Sequence, residues 1–182
     1  MPNISSSSFG ANLEELVFVE NPALVSSLSG IIEEITLSRN QLSGSLPFSL
    51  TKLKKLRVLD LSQNHFDGNV PESIGNLCQI LKLDLSYNGF MGKIPYSMVN
   101  LQSLEFLDLS FNRFGNFGVP LFLGEMPRLR EVYLSGIYWE GISQKYGKSL
   151  GVFRELDFQT WVWLGDSTFH GGILEKLVLS KA

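Results

Sequence analysis

The sequence is poor in the residues from which small catalytic and metal sites are built. It holds one cysteine, Cys78, and two histidines, His65 and His170. A lone thiol excludes an internal disulfide and a zinc site built on cysteines. Two histidines leave little for imidazole catalysis. An excess of either charge is also missing: 15 Lys plus Arg stand against 18 Asp plus Glu, a net of −3. That balance gives no electrostatic footprint for nucleic acid and no polybasic patch for a membrane surface. No apolar run approaches the roughly 20 residues of a spanning helix, so direct membrane insertion by this chain is not expected. Residues 1–10 are polar and serine-rich, with neither a basic nor an apolar region of signal-peptide kind. Gly-rich phosphate loops, kinase motifs and paired acid/base constellations are lacking as well. The expectation is a protein that is not an enzyme and takes no cofactor and no metal.

Leucine is what the chain has in quantity, 30 of 182 residues. With 44% hydrophobic residues, disorder of the whole chain is excluded, and the length suits one domain with a sizeable core. The leucines are periodic. Ile32, Ile35, Leu37, Asn40, Leu42 and Pro47 set a pattern that returns as Leu56, Leu59, Leu61, Asn64, Phe66 and Pro71. It returns again as Ile80, Leu83, Leu85, Asn88, Phe90 and Pro95, then as Leu104, Leu107, Leu109, Asn112, Phe114 and Pro120. Copies start 24 residues apart, and Leu129, Val132 and Leu134 follow 25 further on. Such a period is the signature of a solenoid, here of leucine-rich repeats. The expected fold is an α/β repeat, a right-handed solenoid with a parallel sheet on the concave face. Its convex side should be irregular, with short 3-10 or helical turns.

Each repeat position has a physical reason. The last two leucines of L-x-x-L-x-L sit at period 2, so both point inward from a short strand. Strands are expected to centre near Leu37, Leu61, Leu85, Leu109 and Leu134. The amide of each Asn can satisfy backbone groups left unpaired where the chain bends away from the strand. Asn40, Asn64, Asn88 and Asn112 should therefore be buried and bonded to backbone.

Two outward rows on the sheet carry candidate chemistry. Thr36, Asp60, Asp84, Asp108 and Tyr133 occupy the position between the two strand leucines. Strands about 4.8 Å apart stack the three carboxylates. The row reads either as a dock for a cation or basic partner, or as ordinary repeat wording in which each Asp accepts from Ser62, Ser86 or Ser110. Just before the Asn, the row runs Arg39, Gln63, Tyr87, Phe111. With Phe106 and Tyr133 it makes an aromatic surface, read either as a binding patch or as rings packing on one another. If the chain binds a partner, contact should centre on Tyr87, Phe106, Phe111 and Tyr133. Lys82 and Arg130 would flank it, and Asp60, Asp84 and Asp108 would favour basic groups. Phe111→Ala is expected to weaken binding and leave stability nearly unchanged.

The run Leu42-Ser43-Gly44-Ser45-Leu46-Pro47 and its echoes Gly68-Asn69-Val70-Pro71 and Gly92-Lys93-Ile94-Pro95 resemble the plant-type extracellular leucine-rich repeat. Asn21-Pro22-Ala23-Leu24, Arg57 to Asn64 and Phe111 to Gly118 are similar to receptor-like proteins of the Piriformospora indica-insensitive protein 2 type. The resemblance covers about residues 20–136. It implies a cell-surface or plasma-membrane protein active in defence or root–fungus signalling, with a peptide or protein ligand on the concave face and a membrane co-receptor. Inhibition of a secreted microbial hydrolase by the same face is an alternative, as is a truncated gene product without function of its own.

The pattern departs from this type in two places. Leu13 opens a copy only 19 residues before Ile32, where the resemblance implies at least one further coil, so a deletion near residue 31 is expected and residues 22–31 should bulge. After 136, Ile137 stands where Asn belongs and Trp161 takes the next Asn place. A one-base displacement of the reading frame accounts for the wording of Gln144 to Leu150. The expected organisation is a disordered 1–10, a solenoid over 11–136, and degenerate repeats or a misframed segment over 137–182.

Overall fold

The computed structural model describes residues 3–5, 29–115, 120–138, 161–163, 169–170, 173–174 and 178–181. Along the chain the strands are β1 (Asn3–Ser5), β2 (Glu34–Thr36), β3 (Ser43–Ser45), β4 (Val58–Asp60) and β5 (His65–Asp67). They continue as β6 (Lys82–Asp84), β7 (Met91–Gly92), β8 (Phe106–Asp108), β9 (Arg113–Phe114) and β10 (Glu131–Tyr133). The last are β11 (Ile137–Tyr138), β12 (Trp161–Trp163), β13 (Phe169–His170), β14 (Ile173–Leu174) and β15 (Val178–Lys181).

One strand per coil enters an eight-stranded sheet of order β1-β2-β4-β6-β8-β10-β15-β12. From β1 to β10 every pairing is parallel and in register, so Ile35, Leu59, Leu83, Leu107 and Val132 stand side by side. All five are buried, as the period-2 argument requires. The strands centre on these residues, two positions earlier than expected. Backbone bonds do run on past the strands, with the Leu37 N–H donating to Asp60 O at 2.8 Å. The chain then leaves the extended conformation, because Arg39, Gln63, Tyr87 and Phe111 have φ of 59°, 56°, 54° and 53°.

That left-handed residue turns the following Asn into the core. The Asn64 amide donates to Leu37 O, Leu61 O and Ser62 O at 2.9, 3.1 and 3.2 Å, and its Oδ1 accepts the Leu42 N–H at 3.0 Å. Asn88 and Asn112 repeat the arrangement one coil on. Each amide thus ties its own coil to the one before. Asn64 and Asn112 are buried, whereas Asn40 and Asn88 are only half-buried, contrary to the expectation for all four. The ladder stops at Ile137, whose fully buried side chain has no group to donate or accept.

On the return path Pro47, Pro71, Pro95 and Pro120 each precede a five-residue 3-10 turn. Their fixed φ presets the first turn, and each carbonyl accepts the N–H three residues on. The convex side is more regular than expected, because β3 pairs with β5 and β7 with β9, both in parallel. Gly68 follows β5 and Gly92 ends β7, at φ 70° and 74°, which side-chain-bearing residues rarely adopt. Between the sheet and the turns lies the core, threaded by Phe66, Phe90 and Phe114 with ring centroids 5.9 and 6.5 Å apart.

The ends differ from the repeat. β1 pairs in parallel with β2, so three of the ten residues expected to be disordered form a strand. The rest of 1–10, the copy opened by Leu13 and most of the expected bulge at 22–31 lie outside the described residues. At the far end β15 joins β10 antiparallel, and β12 joins β15 antiparallel. The strand beside β10 is therefore Val178–Lys181. Among the described residues no helix is long and apolar enough to cross a membrane.

Candidate partner-binding face

The outward residues of β2, β4, β6, β8 and β10 line one face of the sheet. In register they form two rows: Glu34, Val58, Lys82, Phe106, Glu131 and Thr36, Asp60, Asp84, Asp108, Tyr133. All nine expected partner-binding residues lie on this face or at its rim.

The aspartates are first of all structural. Asp60 Oδ1 accepts from the Ser62 N–H at 3.1 Å and the Ser62 hydroxyl at 2.7 Å. Asp84 does the same with Ser86 and Asp108 with Ser110. The structure shows the second reading of the acidic row, one oxygen of each carboxylate holding the bend. Burial raises the pKa of Asp84 and of Asp108, and the neighbouring carboxylate of the row adds to the rise, against the serine bonds and Lys82. Among the described residues no group of three His, Cys, Asp or Glu side chains could hold a metal ion.

Lys82 is not a free flank. Its Nζ lies 3.5 Å from Asp60 Oδ2 and 4.0 Å from Asp84 Oδ2, and 5.2 Å from the centre of the Phe106 ring. The sequence placed it beside a ligand; the structure shows it already occupied. Phe106 packs against Tyr133 with ring centroids 5.4 Å apart, and the Tyr133 hydroxyl donates to Glu131 Oε2 at 3.1 Å. Burial and that carboxylate both raise the Tyr133 pKa. Arg130 is exposed at the rim beside Glu131.

Tyr87 and Phe111 form the other aromatic pair, stacked at 4.3 Å with planes 17° apart. Even so they stay 51% and 44% exposed, so packing and availability coexist. The next coil places Gly136 at the corresponding bend, with φ 66°. A Cβ on Gly136 would come 2.7 Å from Phe111 Cδ1, so the ring lies against a bare backbone. The repeat pattern alone points to the Asn that Ile137 replaces and not to this glycine. Its place two residues after Leu134 was the available signal. The stack also revises the expectation for Phe111→Ala, which now includes a modest loss of stability.

The repeat descriptions agree with this geometry. Leucine Rich Repeat matches residues 32–53, 55–77 and 79–101, and a second Leucine Rich repeat description matches 100–119. The fold is a leucine-rich repeat solenoid, and the solved structures it resembles are ectodomains of plant receptors. One is PEPR1 with AtPEP1, at 28% identity and TM-score 0.59, covering 63% of this chain and 16% of that one. Another is the Arabidopsis receptor kinase HAESA with an extended IDA peptide hormone, at 38% identity and TM-score 0.58, covering 66% and 20%. The BIR3–SERK2 complex from Arabidopsis thaliana matches at 35% identity and TM-score 0.57, covering 60% and 58%. This chain thus spans about a sixth to a fifth of the two peptide-bound ectodomains. Among proteins of curated function none matches.

Proposed function

We propose that the chain is a non-enzymatic recognition module of the plant cell-surface receptor kind, taking a peptide or protein across the open sheet face. The observation that carries this reading is the stacked, half-exposed pair Tyr87–Phe111 on that face, with Phe106 and Tyr133 beside it. Aromatic anchors dominate interface energetics because they bury much area at small rotamer cost. Similarity to PEPR1 and HAESA, both solved with peptides, supports peptide or protein recognition. The resemblance to the Piriformospora indica-insensitive protein 2 type supports a place at the plasma membrane, in defence or root–fungus signalling alongside a co-receptor.

The test is selection of displayed random dodecapeptides on the full chain. Phe111→Ala should weaken the selected peptides by roughly 5- to 150-fold, which corresponds to about 1–3 kcal/mol. Lys54→Ala, an exposed residue on the return path, should leave them unchanged. Peptides held equally well by the Phe111→Ala variant would overturn the reading.

A further inference from the structure

The recognition face has an unequal charge balance that the near-neutral composition conceals. Its two outward rows hold five carboxylates, Glu34, Asp60, Asp84, Asp108 and Glu131, and one cation, Lys82. Lys82 shows how this surface holds a positive side chain. The ammonium sits between the outward oxygens of two successive aspartates, with an aromatic ring on its third side. Ion pairing and the cation–π contact act on it together.

One coil further on, a pair of successive carboxylates recurs without an ammonium between them, and Glu131 takes the register place of the ring. Asp84, already shared with Lys82, and Asp108 are the next successive carboxylates, and Phe106 stands in the register position that Lys82 holds on β6. Asp108 Oδ1 is committed to Ser110, and among the described residues its Oδ2 has no ion-pair partner. The Phe106 and Tyr133 rings pack against each other on this part of the face, and Glu131 lies beside them.

We infer that Asp108, beside the Phe106–Tyr133 pair, forms a subsite for one lysine or arginine side chain of the partner, held as Lys82 is held by carboxylate and ring together. The inference rests on the proposed use of this face for recognition. The partner it fits is a basic-aromatic peptide segment, whose cation enters beside Asp108 while its apolar groups cover Tyr87 and Phe111. An acidic segment is disfavoured by the carboxylate excess.

The same selected dodecapeptides test it. They should carry a Lys or Arg whose replacement by Gln weakens binding to the unaltered protein at least tenfold. Asp108→Asn, which keeps an acceptor for Ser110, should weaken the parent peptide by a similar factor and be indifferent to the Lys or Arg→Gln change. Lys82→Met should open the equivalent seat between Asp60 and Asp84 and raise affinity several-fold for peptides with a second basic residue. Peptides that lose affinity on Phe111→Ala but are indifferent to Asp108→Asn and to their own basic residue would overturn the subsite and leave the recognition face standing. Peptides indifferent to both protein variants would overturn both.

Discussion

Asn64, Asn88 and Asn112 point inward, each giving its amide to carbonyls of two coils. One residue earlier, Gln63, Tyr87 and Phe111 stand at the surface in the left-handed conformation that turns those amides inward. The same bend therefore builds two ladders. The inner one repeats a single residue, because every copy must satisfy the same backbone groups. Along the outer ladder the residue varies from Arg39 through Gln63, Tyr87 and Phe111 to Gly136, since solvent imposes no such demand. A left-handed bend costs a bulky residue roughly 1–2 kcal/mol, which the amide bonds behind it offset. The difference shows where a repeat protein can place recognition without disturbing its fold.

The sharpest contrast comes from truncating an aromatic of each kind. Phe90 is fully buried between Phe66 and Phe114, so Phe90→Ala should cost about 3–5 kcal/mol in urea unfolding. Tyr87→Ala should cost about 1 kcal/mol, the worth of an exposed stack. Equal losses for the two would erase the distinction between core spine and surface ladder.

Within the inner ladder, Asn88→Ala takes the amide from Leu61 O, Leu85 O and the Phe66 N–H, while Ser86 O keeps the Gln63 N–H. About 1–3 kcal/mol of stability should go with it. Asn40 bonds Leu37 O and Ser38 O of its own coil, and Asn40→Ala should cost less. Hydrogen exchange across 58–67 checks the assignment, since Asn88 clamps that coil and Asn40 does not. Uniform protection in both variants would contradict it.

Much of this was readable beforehand, and the limits are instructive. A 24-residue period determines which residues face inward, because one slipped residue would invert the whole pattern. Ile35, Leu59, Leu83 and Leu107 were placed correctly for that reason. Strand centres came out two residues late, because composition does not show which residue takes the left-handed bend. The commitment of Lys82 was hidden for another reason: it depends on the register between β4 and β6, not on local wording. Nor did the repeat foretell the antiparallel β15. Once Ile137 replaces the amide, nothing local requires the next segment to run parallel.

Gly136 joins the two ladders and gives a smaller, more specific effect. Gly136→Ala places a Cβ against the Phe111 ring at a bend of φ 66°. Clash and backbone strain together should cost about 1–2 kcal/mol. Adding Phe111→Ala removes the clash and leaves the strain, so the double variant should lose less than the two single losses combined. Strict additivity in denaturant midpoints would show that the ring does not rest on Gly136.

The smallest effect is the pH dependence of the acidic row, and its sign is definite. Burial, reinforced by the neighbouring carboxylate, raises Asp84 and Asp108 above the ordinary aspartate value of about 3.9. Between that value and the raised one, the folded protein binds more protons than the unfolded chain. Stability from these two groups therefore falls as pH rises through that window and is level above it. Asp84→Asn with Asp108→Asn removes this dependence while keeping acceptors for Ser86 and Ser110. The stability of the double variant relative to the unaltered protein should accordingly rise from about pH 4 and then level off, as read from urea midpoints at successive pH values. Both carboxyls keep contact with solvent, so the rise should be slight. A relative stability that falls with pH instead would mean that Lys82 and the serines hold the carboxylates charged more strongly than burial opposes it.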